Sequence, residues 1–397
     1  MSSFNKIPSG AKQQPKPFKA NIEEEKLSEF KQLLKLSKLG PVTYENQQED
    51  RRYGVTRQWM KNAKEHWETK FDWRKQEEHI NSFPNYTIPI KDDDGHEFTV
   101  HFVALFSEKE DAVPIGLYHG WPGSFLEFLT VLELLKSKYS PSDLPYHIIA
   151  PSLPGYAYSS SPPLDKDWTT GDTGRIMHKL MLELGFDSYL AQGGDIGSFV
   201  ARYLAVKYDE CKGMHINMVM LPPPTNADTL EANEAEKNAM PRGKAFNETG
   251  SAYAMEHGTR PATIGHVLSS SPLALLAWIG EKFLEWTDTD PPMDDILASV
   301  TLYWLTETFP RCIYSYRGII KPEDAPRPSN PKYYVEKPFG YSWFPKELAP
   351  TPKSWAATTG NLVWHRQHDA GGHFAAMEKP KELLQDIEDF TQEVWKK

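Results

Sequence analysis

The segment Gly193-Gly194-Asp195-Ile196-Gly197 sets a charged residue at the apex of a turn that only small neighbours allow. Before it, Ser188–Gln192 reads as a short buried strand. After it, Phe199, Val200, Tyr203 and Leu204 recur at helical spacing. A strand that passes at once into a helix needs small residues two positions either side of the apex, and it pushes the apex side chain out at the end of a sheet. Serine is the usual residue at such an apex. No G-x-S-x-G segment occurs anywhere in the chain, so the candidate nucleophile is a carboxylate. The plainer reading is an Asp that caps the following helix, but the strand-to-helix context favours the turn.

The same strand-then-helix rhythm surrounds this point. Val113–Tyr118 is a short apolar run followed by a helix from Phe125 to Leu135, and Tyr146–Ala150 is another strand of the buried type. Ile176, Met177, Leu180, Met181 and Leu184 form one helical face stopped at Gly185, and Met214–Met220 reads as the next strand. Such alternation predicts an α/β fold, a mostly parallel sheet flanked by helices. Tyr86–Ile90 and Phe98–Phe106 precede it as strands joined by a polar turn at Lys91–Gly95; its run of Asp lacks the alternating ligands and distant Glu of a calcium loop. Residues 1–20 read as a flexible arm. Helices then follow from Ile22 and over Trp59–Lys70, the latter leading into Asp72-Trp73-Arg74.

At Leu221-Pro222-Pro223-Pro224 the rhythm breaks. Beyond it, helical segments Leu268–Trp286 and Asp294–Glu307 carry no strand between them, as expected of an inserted helical cap. Strand and helix character returns with Trp355–Gln367, and a last amphipathic helix carries Leu383, Leu384, Ile387, Phe390 and Val394. The expected division is an N-terminal extension over 1–85, a core over 86–222 and 336–397, and a cap over 223–335.

Composition narrows the function. A net charge of -10 gives nucleic acid no footing. Cys211 and Cys312 form neither a disulfide framework nor a metal-like spacing, and no metal or cofactor is expected. Met1 to Lys19 is polar, and no run approaches the ~18 apolar residues of a spanning helix. The expectation is a soluble, cytoplasmic protein with no membrane anchor. Its extension would wrap either its own core or a second copy's, with a lean to a homodimer.

Two further segments complete a chemical set. His119-Gly120-Trp121-Pro122-Gly123 ends the strand Val113–Tyr118, where the backbone N–H of Trp121, together with that of Ile196, would form an oxyanion hole. Gly371-Gly372-His373 supplies a late histidine, expected on a flexible, exposed loop. His119 and His368 are competing imidazoles, with His119 the better candidate for a structural role in its own loop.

With Gly194-Asp195-Ile196-Gly197 and Gly372-His373-Phe374, these segments resemble the α/β-hydrolase-fold epoxide hydrolases over most of the chain, from about residue 20 onward. The extension with Asp72-Trp73-Arg74 resembles the microsomal-type branch and, without an anchor, its soluble fungal members. The resemblance implies hydrolysis of a small-molecule epoxide to a vicinal diol through an ester on Asp195. His373 would activate the water, braced by Glu347 in Phe344-Pro345-Lys346-Glu347-Leu348; Asp369 lies nearer in sequence but on the histidine's own loop. Two cap tyrosines would protonate the epoxide oxygen: Tyr253, and Tyr316 in preference to Tyr314. Haloalkane dehalogenation uses the same Asp/His scheme and is the alternative, although dehalogenases usually carry Trp where this chain has Ile196.

Overall fold

The apolar runs assemble into one nine-stranded sheet in the computed structural model, which describes residues 4–319, 321–323 and 325–396. In chain order the strands are β1 (Lys16–Pro17), β2 (Asn85–Lys91), β3 (Glu97–Leu105), β4 (Val113–Tyr118), β5 (Tyr146–Pro151), β6 (Tyr189–Gly193), β7 (Cys211–Ile216), β8 (Val335–Trp343) and β9 (Gly360–Gln367). They lie in the order β1-β2-β3-β5-β4-β6-β7-β8-β9. From β5 to β9 the pairing is parallel, and β1, β2 and β3 extend the sheet antiparallel. All residues of β4, β5 and β6 are buried, as strands covered by helices on both faces must be. This is the α/β-hydrolase fold. Its parallel arrangement brings the C-terminal ends of β4, β6, β8 and β9 to one edge of the sheet.

Several expectations are corrected. Over the described residues 4–20 the arm is packed along the body: Phe4 and Ala20 are buried, Phe106 N–H donates to the Phe4 carbonyl at 2.9 Å, and β1 pairs with β2. Strand β7 begins at Cys211 and ends at Ile216, earlier than Met214–Met220, because its register is set by β6, with Ile216 opposite Gly193. The apolar residues Met218 and Val219 continue as a buried loop. The segment Leu268–Trp286 is broken: helices Pro261–Leu268 and Pro272–Glu285 meet at 116°, where the Ser271 side chain caps the second helix and Pro272 opens it. Strand β8 had no counterpart in the sequence reading. Glu336, Lys337 and Pro338 disguise its start, and a register irregularity between Val335 and Phe339 accommodates them.

Between β7 and β8 the chain forms helices, among them Glu234–Ala245, Ala252–Thr259, Pro272–Glu285 and Met293–Leu305, which lie over the C-terminal edge of the sheet. The extension helices Glu24–Leu36 and Arg57–Thr69 pack on this layer through Leu27, Phe30, Leu34 and Trp67, and the Trp67 indole donates to Thr301 Oγ1 at 2.9 Å. Among the described residues, no single helix is long and apolar enough to cross a membrane.

Candidate active site

Asp195 is the first residue of the helix Asp195–Lys207 and holds φ at 48°, in the left-handed region. A non-glycine residue there costs on the order of 1–3 kcal/mol. The glycines around it are set by contact. A Cβ on Gly193 would meet the Gly197 carbonyl oxygen at 2.1 Å, and one on Gly197 would meet the Tyr118 carbonyl oxygen at 1.9 Å. The turn is therefore as sharp as the motif implies, and Asp195 does not act as a side-chain cap.

The carboxylate is held on both oxygens. Trp121 N–H donates to Oδ1 at 2.7 Å, and His373 Nε2 lies 3.2 Å from Oδ2. Ile196 N borders the same space: a Cβ on Gly120 would fall 2.0 Å from Asp195 Oδ1 and 2.5 Å from Ile196 N. Behind His373, Nδ1 meets Glu347 Oε1 at 2.6 Å, with both side chains only 1% exposed. The strands explain this alignment. Glu347 follows β8 and the histidine loop follows β9, and the parallel pairing resumes between Lys346 and Gly372 just before both residues.

The expected flexible, exposed histidine loop is corrected. His373 is buried, its backbone N–H donates to the Trp286 carbonyl at 2.9 Å, and Gly371 N–H donates to Asp288 Oδ2 at 3.0 Å. The cap thus closes over this loop. Burial opposes a charge on His373, but the Glu347 charge, the hydrogen bonds to Asp195 and Glu347 and the Asp195 charge outweigh it, raising the imidazole to about 10. In the resting site it is an imidazolium between two carboxylates.

The competing groups are engaged elsewhere. His119 accepts from Leu153 N–H through Nε2 at 3.3 Å, and its Nδ1 pairs with the Gly120 carbonyl at 3.2 Å; burial lowers it to about 4, so it is neutral. His368 Nε2 pairs with Asp386 at 2.6 Å, and Asp369 is exposed.

Over the carboxylate lies an aromatic wall from the cap. Tyr253 stacks on the Trp121 indole with centroids 5.1 Å apart, and Tyr316 stands edge-on to it at 5.9 Å. The two phenols lie 5.7 Å apart between centroids; burial raises both, and the Asp195 charge raises them further. Tyr314 faces away. Its hydroxyl bonds Thr173 Oγ1 at 2.8 Å and donates to the Pro154 carbonyl at 2.9 Å. Trp286, His257 and Phe309 complete the wall, and none was picked out from sequence because aromatic residues in a cap carry no motif. Among the described residues, no cluster of His, Cys, Asp and Glu could hold a metal ion. The arrangement sets a carboxylate held on both oxygens beside two buried phenols and an acid-braced imidazole.

A family model described as the epoxide hydrolase N terminus matches residues 15–128, and one for the alpha/beta hydrolase fold matches 113–247. The solved structure of Aspergillus niger epoxide hydrolase is similar with a TM-score of 0.93 and 50% identity, covering 99% of this chain and 100% of the other. A Dothistroma septosporum relative, named provisionally as an epoxide hydrolase, is 46% identical over 98% of this chain and 93% of its own length. Epoxide hydrolase 1 of Sus scrofa is 30% identical over 94% of this chain and 88% of its own.

Proposed function

The chain belongs to the epoxide hydrolase family and acts on epoxides, and from that premise we propose that its reaction runs through a covalent ester on Asp195. Covalent catalysis divides a difficult displacement into two easier ones. Asp195 Oδ2 attacks an epoxide carbon, the C–O bond breaks, and its electron pair stays on the ring oxygen, which takes a proton from Tyr253 or Tyr316. His373 then removes a proton from water, which attacks the ester carbonyl. The Trp121 and Ile196 N–H groups hold the oxyanion; on collapse the departing oxygen takes the proton back from His373, freeing the diol, and the proton left on the Asp195 carboxyl passes to His373 to restore the resting pair.

The observation that carries this reading is the two-sided grip on Asp195, with Trp121 N–H on one oxygen and His373 on the other. It also supplies a timing device. Once Asp195 is esterified its charge is gone, so one of the groups holding the His373 proton no longer does so; the imidazolium gives that proton to the phenolate left by ring opening and becomes a neutral base. The same loss of charge lets Tyr253 and Tyr316 carry phenolate more easily. Tyr316 is preferred to Tyr314 because the Tyr314 hydroxyl is already bonded twice. Haloalkane dehalogenation has less support: phenols over the carboxylate suit an alkoxide better than a halide.

A single turnover in ¹⁸O-water tests the route. The first diol should be unlabelled and the label should enter Asp195; label in the first diol would mean direct attack by water.

The division into extension 1–85, core 86–222 with 336–397, and cap 223–335 belongs to this reading, supported by the helices that lie between β7 and β8. So does a homodimer, which the exposed Leu36, Val42, Tyr44 and Tyr53 of the extension support as an apolar surface. Sedimentation at micromolar concentration tests it. A cytoplasmic location is in keeping with two buried free cysteines, and cell fractionation checks it.

A further inference from the structure

The mechanism above leaves one buried carboxyl beside the reacting groups unused. Glu127 shares a small pocket with Asp195, His373, Gly123 and Asn217. That pocket has room for the centre of a water over about 10 Å³, the size of a single-water site. The carboxyl is fixed in place: a Cβ on Gly123 would lie 1.4 Å from Glu127 Oε1, so only glycine leaves room for it. Gly123 is itself fixed by Tyr303, whose hydroxyl donates to its carbonyl at 2.8 Å.

Part of Glu127 has a local structural role. Ser124 caps the turn with its hydroxyl accepting from Leu126 N–H at 3.2 Å, and the Glu127 carboxyl accepts from Ser124 N–H in return. That explains one oxygen. It does not explain why the carboxyl lies within the field of both Asp195 and His373. Burial raises it to about 8, with the Asp195 charge adding and the His373 charge subtracting. A carboxyl that is largely neutral at pH 7 can stand beside the nucleophile without repelling it, and it can both donate to and accept from a water.

We propose that Glu127 is a catalytic residue of the second step, holding with His373 the water that attacks the Asp195 ester. This rests on the two-step reading above. His373 takes one proton of that water, the other hydrogen is held by Glu127, and the oxygen is aimed at the ester carbon between them. Ring opening does not use this water, so the two steps should respond differently.

Rapid-quench single turnovers with styrene oxide, read by intact mass, test this on the full chain. Glu127→Gln keeps a capping acceptor and a water acceptor, and should slow ester hydrolysis by less than Glu127→Met does. Glu127→Met should leave ester formation within about threefold, slow ester hydrolysis about 10- to 100-fold, and make the ester the main steady-state species. Should that variant fail to fold, Glu127→Asp keeps the cap while drawing the carboxyl back, and it should also accumulate ester. Ser124→Ala breaks the cap from its other side and should lower Tm without ester build-up. Equal slowing of both steps, unchanged hydrolysis, or ester build-up in Ser124→Ala would overturn the assignment. If no variant, His373→Gln included, ever carries an ester on Asp195, the two-step reading has failed, and this inference with it.

Discussion

Glu347→Gln removes one charge from the buried pair that braces His373, and its cost can be worked from the site. Holding the imidazole at about 10 in place of 6.5 corresponds to on the order of 5 kcal/mol in favour of the imidazolium, at about 1.4 kcal/mol per pH unit. The Glu347 charge is the largest of the attractions that oppose burial. A hydrogen bond to a charged group is worth about 1.5–3 kcal/mol, so its loss costs on the order of 2 kcal/mol when the imidazolium forms, or about thirtyfold in the hydrolysis rate. A second effect adds to this. A Gln amide can donate to Nδ1 and so favour the tautomer with its proton on Nε2, which cannot accept one from water. Together these should slow ester hydrolysis by about 10²–10⁴-fold, while ring opening by Asp195 changes far less. Rapid-quench kinetics separates the two rates, and an NMR titration of His373 should show its pKa lowered. Hydrolysis within threefold of wild type, or an unmoved His373, would refute the reasoning.

The remaining predictions follow from the same geometry. Tyr253→Phe and Tyr316→Phe should each slow ring opening by about 10- to 100-fold, and the double variant should form almost no ester. Tyr314→Phe should leave ring opening within a few-fold yet lower stability by about 1–2 kcal/mol in chemical denaturation, since Thr173 and the Pro154 carbonyl lose a partner. Gly120→Ala should abolish activity in a folded protein, because the added methyl would lie 2.0 Å from Asp195 Oδ1; a circular dichroism spectrum beside the turnover assay checks this. Folding raises His373, so its stabilisation is complete below about pH 6.5 and is lost as pH rises toward 10. Urea midpoints should fall over that range, less steeply in Glu347→Gln.

Those parts of the site marked by local sequence were legible before the structure. The turn at Asp195 is dictated by glycines that nothing larger can replace, so its spacing between a strand and a helix identified it. His373 was found from its Gly-Gly-His segment, but its environment was misjudged. A glycine pair reads as flexible, whereas here Gly372 is needed because a Cβ would lie 2.6 Å from the Trp286 carbonyl oxygen. Glu347 and the cap tyrosines came only through resemblance, since their partners are set by the packing of a cap on a sheet edge. Strand β8 was hidden by Pro338 and two charges, because pairing on both sides outweighs local propensity. The arm was misread over its described residues 4–20 for a similar reason: two paired residues and one buried Phe4 leave almost no periodicity to see. Glu127 carried a visible signal, Ser-x-x-Glu directly after the Gly-Trp-Pro-Gly loop, which marks a helix start and says nothing of the pocket beneath it.

The central claim is the ester on Asp195, and trapping it is the most direct measurement. His373→Gln, mixed with excess styrene oxide, should gain the mass of one substrate on the intact protein. Digestion should place that mass on the peptide holding Gly193-Gly194-Asp195-Ile196-Gly197, and Asp195→Asn should gain nothing. An adduct on any other residue, or none while wild type forms diol under the same conditions, would contradict the account.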